Sequence, residues 1–223
     1  MTLRTFGGLA ALTCAATYLV GFALILTLLA PLGFGTSQVD TAAVVAFIAE
    51  QPGVLIAWNT TIYVVNALAL VLLVVTLYRR IATTMPDAAA FTGAIGLIWS
   101  TLVLGAGMIA NVAVEQTHAL ADNPEAAAEL WQTLHAVELG LGGGNEIAGG
   151  AWILAVSIAG LRSGTLGRVI AMIGTVSGAA GLATILPPLG DSAGAVFGLG
   201  AILWFIAVGV ALLRPSPRPL TQY

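Results

Sequence analysis

Long apolar runs dominate the chain and are separated by short polar segments. Each run reaches the roughly 20 residues that a helix needs to cross the hydrocarbon core of a bilayer. The runs lack the period-two alternation of membrane strands, so they indicate helices. The pattern therefore predicts an all-α fold, a six-span transmembrane helical bundle, with spans near residues 6–29, 54–77, 89–112, 139–161, 166–186 and 193–213.

Two of the connecting segments have helical character of their own. Asp40 is placed to cap a short helix, Thr41–Glu50, whose apolar sequence favours an outer position at the membrane interface. Pro124 stands at a permitted first-turn position of a second outer helix, which we expect to continue into the fourth span. Trp58 and Trp131 fall near the predicted outer boundary and are interpreted as interface anchors. Residues 1–223 are expected to form a single integral membrane domain.

Composition agrees with lipid as the surrounding solvent. Hydrophobic residues make up 59% of the chain and charged residues 8%, whereas a soluble domain is about a quarter charged. The chain has no lysine and no basic patch, which argues against a nucleic-acid partner. Cys14 is the single cysteine, so an intrachain disulfide is excluded.

The charged residues sort to opposite sides of the six-span arrangement. Positive charge in short loops marks the cytoplasmic side. Both termini are therefore expected in the cytoplasm, in a multi-pass protein of the plasma membrane, with Asp87 as the one acid on the arginine side. The arginines are residues 4, 79, 80, 162, 168, 214 and 218, and the acids predicted on the outer side are residues 40, 50, 115, 122, 125, 129 and 191.

The fourth span contains the most informative segment. Three consecutive glycines at 142–144 should loosen the helix and favour an unwound turn. Asn145 and Glu146 follow directly, and Glu146 is expected roughly 10 Å below the outer boundary at 1.5 Å per residue. A carboxyl group at such depth normally faces other helices or a wet cavity. It either contacts an ion or ligand, or ties helices together.

Polar residues on neighbouring spans are predicted at a similar depth: Asn59 and Thr60 on the second span and Asn111 on the third. With Asn145 and Glu146 they predict an outward-facing pocket for a small molecule, lipid headgroup or cation, although each can equally serve in interhelical hydrogen bonding. One alternative is a proton- or ion-coupled transporter that uses Glu146. Another is an accessory membrane subunit without a small ligand.

A second constellation lies between the third and fourth spans. Glu115 and His118 are three residues apart, as are His135 and Glu138, so each pair shares a helical face. Two such pairs could supply four ligands to zinc or another divalent metal. The alternatives are a pH sensor, a membrane enzyme, or two solvent-facing polar pairs. Since no catalytic motif is present, we expect a binder more than an enzyme.

Small residues suggest how the helices pack. Gly149 and Gly150 allow two helix backbones to approach closely in lipid. Glycine-rich faces of this kind also predict a homo-oligomer, with membrane lipids as the other partners.

Several segments resemble the DUF4386 family of bacterial and archaeal membrane proteins. They are LRTFGGLAALTCAATYLVG at the start, residues 78–112, AGLRSGTLGRVIAMIG at 159–174, and GGGNEIAGGAWIL at 142–154, which is the most specific. The resemblance covers nearly the whole chain and implies a multi-span membrane protein. It implies no activity and lends no catalytic residues, but the matching segment contains Asn145 and Glu146.

Overall fold

The computed structural model describes residues 2–34, 39–143 and 146–214, and its regular structure in these ranges is helical, with no strand. Two π-helical turns, Thr60–Val65 and Leu139–Gly143, join α3 to α4 and extend α6. The predicted all-α fold class is confirmed. The helices are α1 Leu3–Leu26, α2 Thr41–Glu50, α3 Pro52–Asn59, α4 Asn66–Ile81, α5 Pro86–Ala119, α6 Pro124–Glu138, α7 Ile147–Arg162, α8 Arg168–Ala183 and α9 Gly190–Leu213.

Within the described ranges, five helical segments are long and apolar enough to cross a membrane: Leu3–Leu26, Pro52–Ile81, Pro86–Ala119, Pro124–Arg162 and Pro187–Leu213. The predicted span at 166–186 is represented by α8, which has only 16 residues. It is short because Gly167 is extended (ψ 154°) and delays the helix start, and because the chain turns at Thr184 before two prolines. The count of six spans therefore stays a prediction.

Both outer helices form where the sequence places them. The Asp40 side chain accepts a hydrogen bond from the Ala43 N–H at 3.0 Å, and α2 has the expected bounds. The Asn123 side chain accepts from the Ala126 N–H at 3.3 Å at the start of α6. α6 runs without a gap into the second π-helical turn, where the predicted fourth span begins.

Glycines let α7 and α8 touch through their backbones. A Cβ atom at Gly150 would lie 2.8 Å from the carbonyl oxygen of Gly178, and one at Gly181 would lie 2.7 Å from Cα of Gly150. The close approach predicted from Gly150 is therefore confirmed as a contact within the chain. A homo-oligomer through glycine-rich faces stays a prediction.

Five buried rings form a central aromatic cluster, which lies near the middle of α5, α7 and α9. Trp152 is 5.6 Å from Trp99 and 5.5 Å from Trp204 between ring centroids, and Trp204 is 5.4 Å from Phe205. Phe197 completes the cluster beside Trp99 at 6.4 Å. The rings belong to a large apolar core that continues towards the start of α1.

Oppositely charged residues collect at the two ends of the bundle. At one end, the Arg4 Nε donates to the Leu212 carbonyl oxygen at 2.7 Å, so the start of α1 meets the end of α9. Arg79 and Arg80 line the same groove as Arg4. We call this the arginine end. Asp191 lies at the other end, which we call the acidic end.

Candidate ligand-binding site

A cavity of about 650 Å³ opens at the acidic end. Its volume lies within the range of small-molecule sites, about 300–1,000 Å³. Helices α1, α2, α3, α5, α6 and α9 contribute to it, together with both π-helical turns. The lining residues are Ile25, Phe34, Val39, Thr41, Leu55, Trp58, Asn59, Ile62, Tyr63, Ala110, Ala113, Val114, Trp131, Gln132, His135, Ala136, Glu138, Leu139 and Asp191.

Aromatic rings form one wall of this acidic-end cavity. Phe34 makes edge-on contacts with Trp58 at 5.3 Å and with Trp131 at 6.3 Å between ring centroids. His135 stacks on Trp131 at 4.5 Å, with an angle of 20° between the rings. Each ring is thus held by at least one other. Such a wall presents electron-rich faces to a ligand.

A buried carboxyl group forms the polar centre of the cavity. Glu138 is only 4% exposed. The Tyr63 hydroxyl donates to its Oε1 at 2.6 Å. His135 Nδ1 lies 2.8 Å from its Oε2, so the Nδ1–H donates when Glu138 is ionised. Both carboxylate oxygens are therefore held by protein donors, as a buried charge requires.

A π-helical turn lies at or next to each of these polar groups. Tyr63 lies within Thr60–Val65, and Glu138 is the last residue before Leu139–Gly143. Single π-turns occur often at functional sites. Here they lie on facing helices, and both contribute residues to the cavity.

The lining of the cavity is acidic. Among the described residues that line it, Glu138 and Asp191 are acidic and none is arginine or lysine. Gln132 Nε2 donates to the Thr41 hydroxyl at 3.0 Å and ties α6 to α2. The buried indole N–H of Trp58 has no acceptor within the described part of the chain. The cavity thus offers acidic oxygens and aromatic faces.

The residues of the predicted pocket do not all meet. Asn59 is buried and lines the cavity. Asn111 instead donates from Nδ2 to the Thr60 hydroxyl at 3.0 Å, and neither residue lines the cavity. That pair makes the interhelical hydrogen bond that was the alternative interpretation of both residues. Asn145 lies outside the described residues.

Glu146 lies beyond the cavity, after a break in the helix. The predicted weakening of the fourth span is confirmed, since Gly142 has a φ of 137° and α7 begins only at Ile147. The Glu146 N–H donates to the Thr184 hydroxyl of the chain that follows α8, at 3.1 Å. Glu146 is partly buried and does not line the cavity, whose buried carboxyl is Glu138.

The four predicted metal ligands are separated in the structure. Glu115 is exposed, and His118 Nδ1 lies 3.2 Å from the Ile48 carbonyl oxygen on α2. Only His135 and Glu138 meet. Across residues 2–34, 39–143 and 146–214, no group of three His, Cys, Asp or Glu residues is arranged to hold a metal ion. The reason is that His118 faces α2, whereas His135 faces the cavity.

Sequence reasoning missed Tyr63 and the aromatic wall. Trp58 and Trp131, which were interpreted as interface anchors, are 7% and 5% exposed and line the cavity. A signal was available, because Trp131, His135 and Glu138 are spaced i, i+4 and i+7 on one helical face. No comparable pattern marks Tyr63, which reaches Glu138 across 75 positions of sequence.

The fold and the cavity define the chain as an all-α bundle of apolar helices with an acidic, aromatic-walled site at one end. No family model, no curated protein and no solved structure matches this chain.

Proposed function

We propose that this chain is a six-span membrane protein that binds a small organic cation in the acidic-end cavity. The observation that carries the proposal is the cavity itself, in which Trp58 and Trp131 stand beside the buried Glu138 without a lining arginine or lysine. Aromatic faces and carboxylates together recognise ammonium groups. A lining of this charge disfavours anions, so a phosphate headgroup is not the expected ligand.

The proposed orientation places the cavity on the outer side of the plasma membrane. Arg4, Arg79 and Arg80 lie together at the opposite end of the bundle, and positive charge marks the cytoplasmic side. Both termini would then be cytoplasmic. The similarity to the DUF4386 family, which rests on segments such as residues 142–154, is part of this proposal and adds no activity to it.

The sixth span in this proposal is α8. Its 16 residues measure about 24 Å at 1.5 Å per residue, and bilayers thin locally around short spans. Val169, Met172 and Val176 repeat at helical spacing on one face and are 70%, 61% and 63% exposed. A stripe of exposed large apolar side chains of this kind suits contact with lipid.

Polar groups of the lining would attract a cation. The Tyr63 hydroxyl donates to the Glu138 carboxyl group at 2.6 Å, and His135 Nδ1 lies 2.8 Å from its other oxygen. Asp191 adds a second negative group at the lining. A quaternary ammonium group therefore gains from charge attraction and from the aromatic wall, whereas a neutral molecule of the same shape gains only from apolar contact.

Thermal unfolding of the purified protein tests the proposal. We expect tetramethylammonium and choline to raise Tm with at least about tenfold higher apparent affinity than 3,3-dimethylbutan-1-ol, the neutral isostere of choline. Glu138→Gln should abolish this preference, while Glu115→Gln, which neutralises an exposed acid of α5 outside the cavity, should keep it. Equal effects of choline and its isostere on the wild type would refute the proposal.

A second variant tests the same proposal if Glu138→Gln does not fold. Trp58→Leu removes one ring of the aromatic wall and leaves the carboxylate in place. We expect it to weaken the binding of choline more than the binding of the neutral isostere, because only the cation loses the interaction with the ring face. If Trp58→Leu weakened the binding of both ligands by the same factor, the aromatic wall would have no cation-specific role.

One observation favours ion-coupled transport as the second candidate. Glu146 is a partly buried carboxyl-bearing residue that follows the break at Gly142 in the predicted fourth span. Carboxyl groups and interrupted helices within a membrane domain are features that ion-coupled transporters use. Uptake of choline into proteoliposomes under a pH gradient tests this function. Gradient-driven uptake that Glu146→Gln abolishes would favour it over binding alone.

A further inference from the structure

A second cavity lies at the arginine end, remote from the proposed cation site. It has a volume of about 400 Å³ and is formed by the start of α1, the end of α4 and the loop between α7 and α8. We call it the arginine groove. Its lining residues are Leu3, Arg4, Thr76, Arg79, Arg80, Thr83, Ser163, Gly164 and Thr165.

The groove concentrates positive charge. Three of its lining residues are arginines and none is acidic. Arg80 is partly buried and lies within electrostatic range of Arg4. Its Nε has no acceptor among the described residues, and neither Arg79 nor Arg80 pairs with a carboxylate there. A partly buried guanidinium group with an unsatisfied N–H favours an anionic partner.

Arg4 also joins the start of α1 to the end of α9. Its guanidinium group donates to the carbonyl oxygens of Leu212, Ala211 and Arg214 at the end of α9. Arg4 is therefore fixed at the edge of the groove, and Arg79 and Arg80 are the cations available to a ligand.

Hydroxyl groups line the facing side of the groove. The Ser163 hydroxyl donates to the Thr165 Oγ1 at 2.8 Å, across a turn in which Gly164 has a φ of 71°. Such a left-handed backbone favours glycine and allows the tight reversal. The turn thus brings two hydroxyl groups opposite the arginines. Guanidinium and hydroxyl donors together match the several acceptor oxygens of a phosphate group.

We propose that the arginine groove binds a phosphate group, either in the headgroup of an anionic lipid or in a water-soluble phosphate. Basic pockets between membrane helices recognise such headgroups. Phosphate oxygens would accept from Arg79, Arg80 and the hydroxyl groups, and their negative charge would be attracted to the two guanidinium groups. This site is independent of the cation site, because the two lie at opposite ends of the bundle.

Native mass spectrometry of the delipidated protein tests the lipid arm, with phosphatidylglycerol compared against zwitterionic phosphatidylcholine. Thermal unfolding in inorganic phosphate or glycerol 3-phosphate, against chloride at equal ionic strength, tests the soluble arm. Preference for phosphatidylglycerol without an effect of the soluble anions identifies a lipid site. A response to the soluble anions identifies a site for free phosphate groups. No preference in either arm overturns the proposal.

Matched variants separate the groove from general surface charge. Arg79→Gln with Arg80→Gln should weaken phosphate binding at least about tenfold, since a hydrogen bond to a charged group contributes about 1.5–3 kcal/mol. Arg162→Gln with Arg168→Gln removes the same charge from positions outside the groove and should change binding less than about twofold. Equal losses in the two double variants would show a nonspecific surface effect and overturn the proposal.

A third variant addresses the case in which the arginine double variant does not fold. Ser163→Ala with Thr165→Val leaves all arginines in place and removes only the facing hydroxyl groups. We expect it to weaken phosphate binding about threefold to tenfold, as for the loss of one or two ordinary hydrogen bonds. Unchanged binding in this variant would overturn the assignment of the groove as the phosphate site.

Discussion

The hydrogen bond between Tyr63 and Glu138 provides the sharpest test of the acidic-end cavity. Its length of 2.6 Å falls in the range of charge-assisted O–H···O⁻ bonds, about 2.5–2.7 Å. Hydrogen bonds to charged groups contribute about 1.5–3 kcal/mol in proteins generally. Side-chain pairs in membrane proteins average about 0.6 kcal/mol, with a maximum near 1.7. Because Glu138 is 4% exposed, we expect a value near that maximum, about 1.5 kcal/mol.

A double-mutant cycle of Tyr63→Phe and Glu138→Leu measures this interaction. The proposed bond predicts a coupling of about 1.5 kcal/mol between the two sites, because each single variant breaks the same bond. The free energy of unfolding would be measured in mixed detergent micelles by tryptophan fluorescence. His135 loses its partner in both variants with Leu at 138, so that loss cancels in the cycle.

The control for the cycle is Tyr78→Phe. Tyr78 is 42% exposed, so removing its hydroxyl group should change the free energy of unfolding by less than about 0.5 kcal/mol. A coupling between Tyr63 and Glu138 below about 0.3 kcal/mol would refute the reasoning, because the effects of independent substitutions on the free energy of unfolding are additive to within about this amount.

Three further substitutions test local features of the fold. Gly178→Ala would place a Cβ within 2.7 Å of backbone atoms of α7 and should destabilise the protein by about 1–3 kcal/mol in thermal unfolding, whereas Gly53→Ala, with no neighbour within 4 Å, should not. Gly142→Ala puts a side chain at a φ of 137° and should lose about 1–3 kcal/mol; an unchanged Tm would contradict that backbone. Asp40→Ala removes the cap of α2 to the Ala43 N–H and should lose about 1 kcal/mol, while Asp40→Asn retains most of it.

Most of the fold follows from two signals in the sequence. Apolar runs near the required length identify the membrane-crossing candidates, and capping chemistry sets the start of α2 at Thr41. The chief difference is α8, where hydropathy continues through Gly167 and Thr184 although the helix does not. Hydropathy measures transfer into lipid, whereas the helix ends depend on glycine conformation and on a side-chain hydrogen bond that forms only in the folded bundle.

The site was harder to predict because it depends on rotation about the helix axes. The break after Gly142 and the contribution of Asn59 could be predicted from residue type and depth. The sequence could not predict that Glu138, and not Glu146, provides the carboxyl group of the cavity. This difference depends on which side chains the folded helices turn towards the cavity, and the break at Gly142 separates Glu138 from Glu146.

The central aromatic cluster determines how a solute could travel through the protein. Trp152 and its neighbours fill the middle of the bundle, and the residues between them and the arginine end are tightly packed aliphatic side chains such as Leu70 and Leu73, both 0% exposed. A cation bound beside Glu138, as proposed, would therefore leave through the opening by which it entered unless these rings separate. Passage through the bundle would require several packed aromatic rings to move together, which favours binding from one side over permeation.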